Sequence, residues 1–119
     1  MDVTALLYLL AFLVGNVAVV EQPRGSTLPL CANLSLVLMF SNARVTSTYG
    51  AAFGQASLKP YQLWSNSARI EQMARAKPDV AVTSLAVCHD GRFTGKKECL
   101  QHAEVYTREF GAAVVNCFQ

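Results

Sequence analysis

The run "ALLYLLAFLVGNVAVV", Ala5 to Val20, carries no charge and is interrupted only at Gly15-Asn16. An unbroken apolar helix of roughly 20 residues would span a membrane, and "ALLYLLAFLV" alone has the length of a signal-peptide h-region. Two features oppose the secretory reading. The residues ahead of the run hold Asp2 and neither Lys nor Arg, and no small-x-small cleavage site follows, since Asn16 stands two before Ala18. The alternative is a core helix followed by a buried strand. Asp2 or Thr4 caps a helix running to about Val14, Gly15-Asn16 stops it, and "VAVV" (17–20) looks like an interior parallel strand covered on both faces.

That strand ends on Glu21, followed by the stiff polar turn "QPRGS" (22–26). Open α/β sheets bind ligands beyond the carboxyl ends of their strands. A carboxylate placed there can accept from an amino group or a protonated ring nitrogen, with Pro23 stiffening the turn behind it. The plainer reading is a strand-end carboxylate that solvates its loop, because strand ends commonly turn polar.

Downstream, Pro29 suits a first helical turn, and Leu30, Leu34, Val37 and Leu38 recur at helical spacing as far as Phe40. Ser41-Asn42 closes that helix. "RVTSTYG" (44–50) alternates as a strand, 51–60 is a small-residue loop, and "YQLWS" (61–65) is a further short strand. Asn66 predicts the cap of a helix to Lys77, with Ile70, Met73 and Ala74 on one stripe and Pro78 as the stop. "VAVTSLAV" (80–87) reads as a strand and "HDGRFTGKK" (89–97) as a basic loop. The tail from about Glu98 reads as a helix, with Phe110, Ala113, Val114 and Cys117 on one face.

Helix and strand alternate, so the fold class is α/β. The expected form is a partial Rossmann-like sheet with flanking helices, incomplete at its N-terminal side because no glycine-rich phosphate or nucleoside loop is present. Residues 1–119 make one domain or a piece of one. With 52% hydrophobic and 15% charged residues the chain needs a core and is not disordered. A net charge of +2 singles out neither nucleic acid nor a membrane surface.

Four cysteines, Cys31, Cys88, Cys99 and Cys117, show no disulfide framework and read as free, mostly buried thiols of a reducing compartment. Cys88-His89 and Cys99-x-x-His102 are the only zinc-like pairs. Adjacent side chains in extended chain point to opposite faces, so structural roles are expected and no metal site is assigned. No Gly-x-Ser-x-Gly context surrounds any serine. Cys31 lies near a helix start, where a dipole can lower a thiol's pKa, but a buried thiol is expected. "NLS" (33–35) is a formal glycosylation sequon inside an apolar helical pattern. Among the loop cations Arg24, Lys59, Arg92, Lys96 and Lys97, those near Tyr61 and Trp64 can touch phosphates and bases. Ordinary surface charge is the bland alternative.

Taken in order, "ALLYLLAFLVGNVAVVEQPRGS", "YGAAFGQASLKPYQLWSN" and "EVYTREFGAAVV" resemble consecutive segments of cytosine-5 DNA methyltransferases, nearest to the divergent methylase-like domains of phages and protist mobile elements. The first resembles the helix, strand and Glu-Asn-Pro turn. The second carries Tyr49-Gly50, Lys59-Pro60, Leu63-Trp64 and Asn66. The third is similar to the closing segment, with Ala112 in place of Asn. The resemblance covers roughly 5–26, 45–77 and 94–115.

It implies that Glu21 holds the ring nitrogen and amino group of a target cytosine while a cysteine attacks the ring. It further implies that Lys59 faces DNA, where the loop cation Arg24 is a second candidate contact from the reading of charges alone, and that Gly111 belongs to the segment beside the S-adenosylmethionine pocket. Departures qualify this. The cofactor loop Phe-x-Gly-x-Gly is absent, none of the four cysteines follows a proline, Gln22 replaces Asn, and Ala112 replaces Asn. The chain is therefore expected to be the C-terminal portion of such a domain, inactive alone and binding no cofactor. Its expected partners are DNA and the missing N-terminal half, in the cytoplasm or nucleus. The competing class is a small secreted or membrane-anchored protein with an N-terminal signal or anchor and disulfides.

Overall fold

A computed structural model describes residues 2–55, 58–79, 87–89, 92–94 and 106–119. Helix α1 (Val3–Leu13) starts where Asp2 Oδ1 accepts the Thr4 N–H at 3.1 Å. It ends on Gly15 at φ +78°, with the Asn16 N–H on Ala11 O (2.8 Å) and the Gly15 N–H on Phe12 O (3.1 Å). This is the paired-bond C-cap that a left-handed residue permits. Helix α2 (Ala32–Phe40) uses the same device with Asn42 at φ +52°, where Ala43 N–H bonds Leu38 O at 2.9 Å and Asn42 N–H bonds Met39 O at 3.0 Å. The helix expected from Pro29 is thus split. A single 3₁₀ turn, Leu28–Leu30, buries Pro29, and Cys31 is extended before α2 begins.

Strands β1 (Val19–Pro23), β2 (Arg44–Tyr49) and β3 (Pro60–Ser65) form a sheet in the order β1-β3-β2, both pairs antiparallel. This corrects the expected interior parallel strand. Among the described residues β1 is an edge strand of the sheet, pointing the same way as β2 on the far side of β3. The error has a physical source. Apolar residues on both faces of a strand report that both faces are covered, not which way the neighbour runs.

Helices do cover both faces. Ala5 and Tyr8 of α1 and Leu34, Val37 and Leu38 of α2 pack with Val20 on one side, where Trp64 joins them. Leu63, Phe53, Ile70, Met73, Phe110 and Cys117 form the other core, with Val19 against it. The last two belong to helix α3 (Arg108–Cys117), capped by Thr107 Oγ1 accepting the Phe110 N–H at 3.2 Å. The molecule is a small α/β arrangement, a three-stranded antiparallel sheet flanked by helices.

After β3 the expected helix is a 3₁₀ segment, Ala68–Met73, capped by Ser67, whose hydroxyl accepts the Arg69 N–H at 3.3 Å. Residues at i and i+3 eclipse in a 3₁₀ helix, so Ile70 and Met73 both enter the core without an α-helix. Asn66 is not the cap. Its Oδ1 accepts the Ala18 N–H at 2.9 Å and its Nδ2 donates to Asn16 O at 2.8 Å, tying the end of β3 to the turn between α1 and β1. β4 (Val87–His89), which begins at the last residue of the expected 80–87 strand, pairs antiparallel with β5 (Arg92–Thr94), inside the expected basic loop. The rest of the expected 80–87 strand, and the tail helix ahead of residue 106, lie outside the described residues.

Candidate functional site

Glu21 is the third of five residues in β1, opposite Leu63, so it stands within the strand rather than at its end. Alternation along the strand sends its side chain to the face that packs against α3. There Glu21 Oε2 accepts a hydrogen bond from the Tyr106 hydroxyl, while Glu21 Oε1 is buried with no partner among the described residues. Tyr106 stands just ahead of the Thr107 cap. Its ring stacks on Phe110 at 5.3 Å and 22° and lies tilted against Tyr61 at 6.1 Å. Phe53 meets Phe110 edge-on at 5.3 Å, and Tyr61 donates from its hydroxyl to Gln55 Oε1 at 3.1 Å.

The electrostatics keep both phenols protonated. Burial pushes the Tyr106 hydroxyl well above its ordinary range, and the hydrogen bond to Glu21 and that carboxylate's charge push it further. Tyr61 is raised by burial and, less, by Glu21, against a lowering by its bond to Gln55. Glu21 therefore faces neutral hydroxyls, one of which donates to it.

Tyr49-Gly50 of the sequence pattern has a steric explanation. A Cβ on Gly50 would overlap Gln55 Oε1 and lie 2.7 Å from Gln55 Cδ and 3.1 Å from Tyr61 Cε2. Backbone bonds fix the same corner, with Gly50 N–H on Lys59 O and Gln55 N–H on Gly50 O, each at 3.1 Å.

Arg24 and Lys59 arrive at one end of the sheet, because β1 and β2 end where β3 begins and Pro23 pairs Tyr61 while Tyr49 pairs Pro60. The Arg24 N–H bonds Pro60 O at 3.0 Å. Its guanidinium donates to Tyr49 Oη at 3.1 Å and lies 5.0 Å from that ring's centroid. Lys59 Nζ lies 5.4 Å from the centroid of Tyr61. Both cations rest on aromatic faces, and Tyr61 links Lys59 to the Tyr106–Glu21 pair.

Other expected residues fall elsewhere. Gly111 is exposed on α3, and a Cβ there would meet no atom within 4 Å, so no close backbone approach explains it. Cys31 is exposed, against the expectation of a buried thiol, because it occupies the extended link ahead of α2. Cys117 is buried, and burial raises its thiol pKa more than Arg75 lowers it. Cys99 and His102 lie outside the described residues. On the opposite face of the sheet an open groove beside α2 passes over Gln62 and Trp64, and Trp64 Nε1 is buried without an acceptor among the described residues.

Sequence reading missed Tyr106 and Gln55. Tyr106 meets Glu21 from 85 residues away, and no local pattern spans that distance. No family model, no curated protein and no solved structure matches this chain.

Proposed function

We propose that the chain is the base-reading portion of a cytosine-5 DNA methyltransferase-like domain, with Glu21 as the carboxylate that receives the donor edge of a cytosine. The observation that carries this reading is the buried Glu21 Oε1, without a partner among the described residues, beside an occupied Oε2. A buried charged oxygen without a donor is costly. An amino group or a protonated ring nitrogen of a base supplies the missing donor. The clustering of Arg24 and Lys59 at the adjacent sheet end supports contacts to phosphates, which position but do not specify.

The fold is compatible with the same reading. β1 and β2 point the same way on either side of the antiparallel β3, with α2 on the connection between them. The burial of Ala5 and Tyr8 seats one side of the "ALLYLLAFLV" helix against the sheet.

In the resembled family S-adenosylmethionine supplies the methyl group. The residues present here do not fit it, since there is no glycine-rich loop and Gly111 forms no cradle. No proline-linked cysteine is available to attack the base. The role proposed for this chain is to bind and orient the base, not to transfer methyl.

The test is titration of the chain with a short single-stranded oligonucleotide carrying one cytosine, against its thymine counterpart. Tighter binding to the cytosine strand is expected, and Glu21→Gln should weaken that preference about tenfold or more, the size of one lost hydrogen bond to a charged group. S-adenosylmethionine should leave the amide spectrum unchanged at micromolar concentration. Equal binding of the two strands by the unmodified chain, or micromolar affinity for S-adenosylmethionine, overturns the reading.

A further inference from the structure

Tyr106 offers Glu21 what a base would offer, a hydrogen-bond donor on the rim of a flat ring. The ring is stacked on Phe110 at 5.3 Å and 22°, the offset geometry in which nucleobases lie on aromatic side chains. Tyr61 flanks it at 6.1 Å and carries the Lys59 ammonium over its own ring. A planar ring between an aromatic floor and a carboxylate acceptor is a ligand arrangement made from the chain's own side chain.

Three observations make Tyr106 a removable occupant rather than a fixed part of the wall. It lies ahead of the α3 cap, outside the helix. It is 50% exposed although it stacks on the buried Phe110. α3 has further anchors besides it, because Thr107 Oγ1 accepts the Phe110 N–H and donates to Phe53 O, and Phe110 is wedged edge-on by Phe53. With the Tyr106 ring swung out, the floor (Phe110), the flank (Tyr61) and both Glu21 oxygens remain.

We propose that Tyr106 occupies the seat of a flat heteroaromatic ligand with a donor edge, and that ligand entry requires its displacement from Glu21 and Phe110. The identity of that ligand as cytosine rests on the reading of Glu21 given above. The seat itself does not.

The full chain and its Tyr106→Ala and Tyr106→Phe variants are titrated with p-cresol, deoxycytidine and thymidine, following the backbone amides of Glu21, Leu63 and Phe110. Tyr106→Ala is expected to take up p-cresol, which replaces the missing side chain, with shifts at Glu21 and Phe110 that the unmodified chain does not show. It should bind deoxycytidine about tenfold more tightly than the unmodified chain, since a closed seat divides affinity by the open fraction. Tyr106→Phe keeps the ring but loses the bond to Glu21, and should fall between the two. Should Tyr106→Ala not fold, the Tyr106→Phe comparison decides, with equal deoxycytidine affinity to the unmodified chain overturning the proposal. A folded Tyr106→Ala that refuses p-cresol, or that binds deoxycytidine no better than the unmodified chain while still preferring it to thymidine, also overturns it. If p-cresol binds but deoxycytidine and thymidine are not distinguished, the seat stands and the cytosine reading falls.

Discussion

Gly50 has no room for a side chain, since Gln55 fills the space that a Cβ would take. Gly50→Ala is therefore expected to expel the Gln55 carboxamide and strip the Tyr61 hydroxyl of its acceptor. Overpacking and a broken buried hydrogen bond each cost about 1–3 kcal/mol, and thermal denaturation reads the loss. The tyrosines give a second expectation. Tyr8, Tyr61 and Tyr106 all ionise above the ordinary value of 10.0, each chiefly through burial. A group whose folded pKa is raised stabilises the fold fully below its unfolded pKa and loses that contribution as pH rises through the folded value. Stability should therefore hold up to about pH 10 and fall above it, with Tyr106→Phe flattening that alkaline limb. Phenolate absorbance against pH, run beside denaturation, checks both parts. Of the candidate-site residues, Glu21, Arg24 and Lys59 could be singled out in the sequence because they sit in short ordered motifs. Tyr106 was not, because its role exists only once α3 folds back onto β1.

Among the elements, α1 is the outlier. Ala5 and Tyr8 are buried, yet Val3, Leu6, Leu7, Leu10, Leu13 and Val14 are all more than two-fifths exposed, so the helix is apolar on both faces. Helices that are apolar all round are usually buried or membrane-spanning. Its 11 residues reach about 17 Å, against the roughly 30 Å of a bilayer core, and no described helix is long and apolar enough to cross a membrane. Replacing Leu7 and Leu10 with Lys should leave stability within about 0.5 kcal/mol per site, as exposed substitutions do, while reducing light scattering at high concentration. The same Lys at Ala5 should unfold the chain, because that site is fully buried. Element ends were readable for physical reasons that transfer. Asp2, Gly15 and Asn42 act through backbone geometry that each residue type carries with it. Strand direction and the 3₁₀ segment were not readable. Burial periodicity is blind to the first, and the Ile70–Met73 spacing serves an α-helix and a 3₁₀ helix alike.

The whole molecule hangs on β3. Among the described residues it is the one strand paired on both sides, and its Leu63 and Trp64 point into opposite cores. Asn66, directly after it, clamps the α1–β1 turn. Two cores sharing one strand should unfold together, and the sequence supplies a reporter for each. Trp64 is the only tryptophan and belongs to the α1–α2 side, while Cys117 is buried on the α3 side. In denaturant, Trp64 fluorescence and alkylation of Cys117 should follow one transition, whereas the exposed Cys31 should alkylate at once in the native protein. Leu63→Ala removes a fully buried side chain and should cost about 2–5 kcal/mol. Where reclosing outpaces the chemistry, modification tracks the open population. A loss of about 3 kcal/mol then speeds Cys117 alkylation roughly a hundredfold and leaves Cys31 unchanged. The fluorescence midpoint should fall in step, because the Trp64 core cannot keep its sheet once β3 is weakened. Mass spectrometry of the alkylated peptides separates the two thiols. If Cys117 became reactive while Trp64 fluorescence stayed native, the cores would be independent and β3 would not be the strand that joins them.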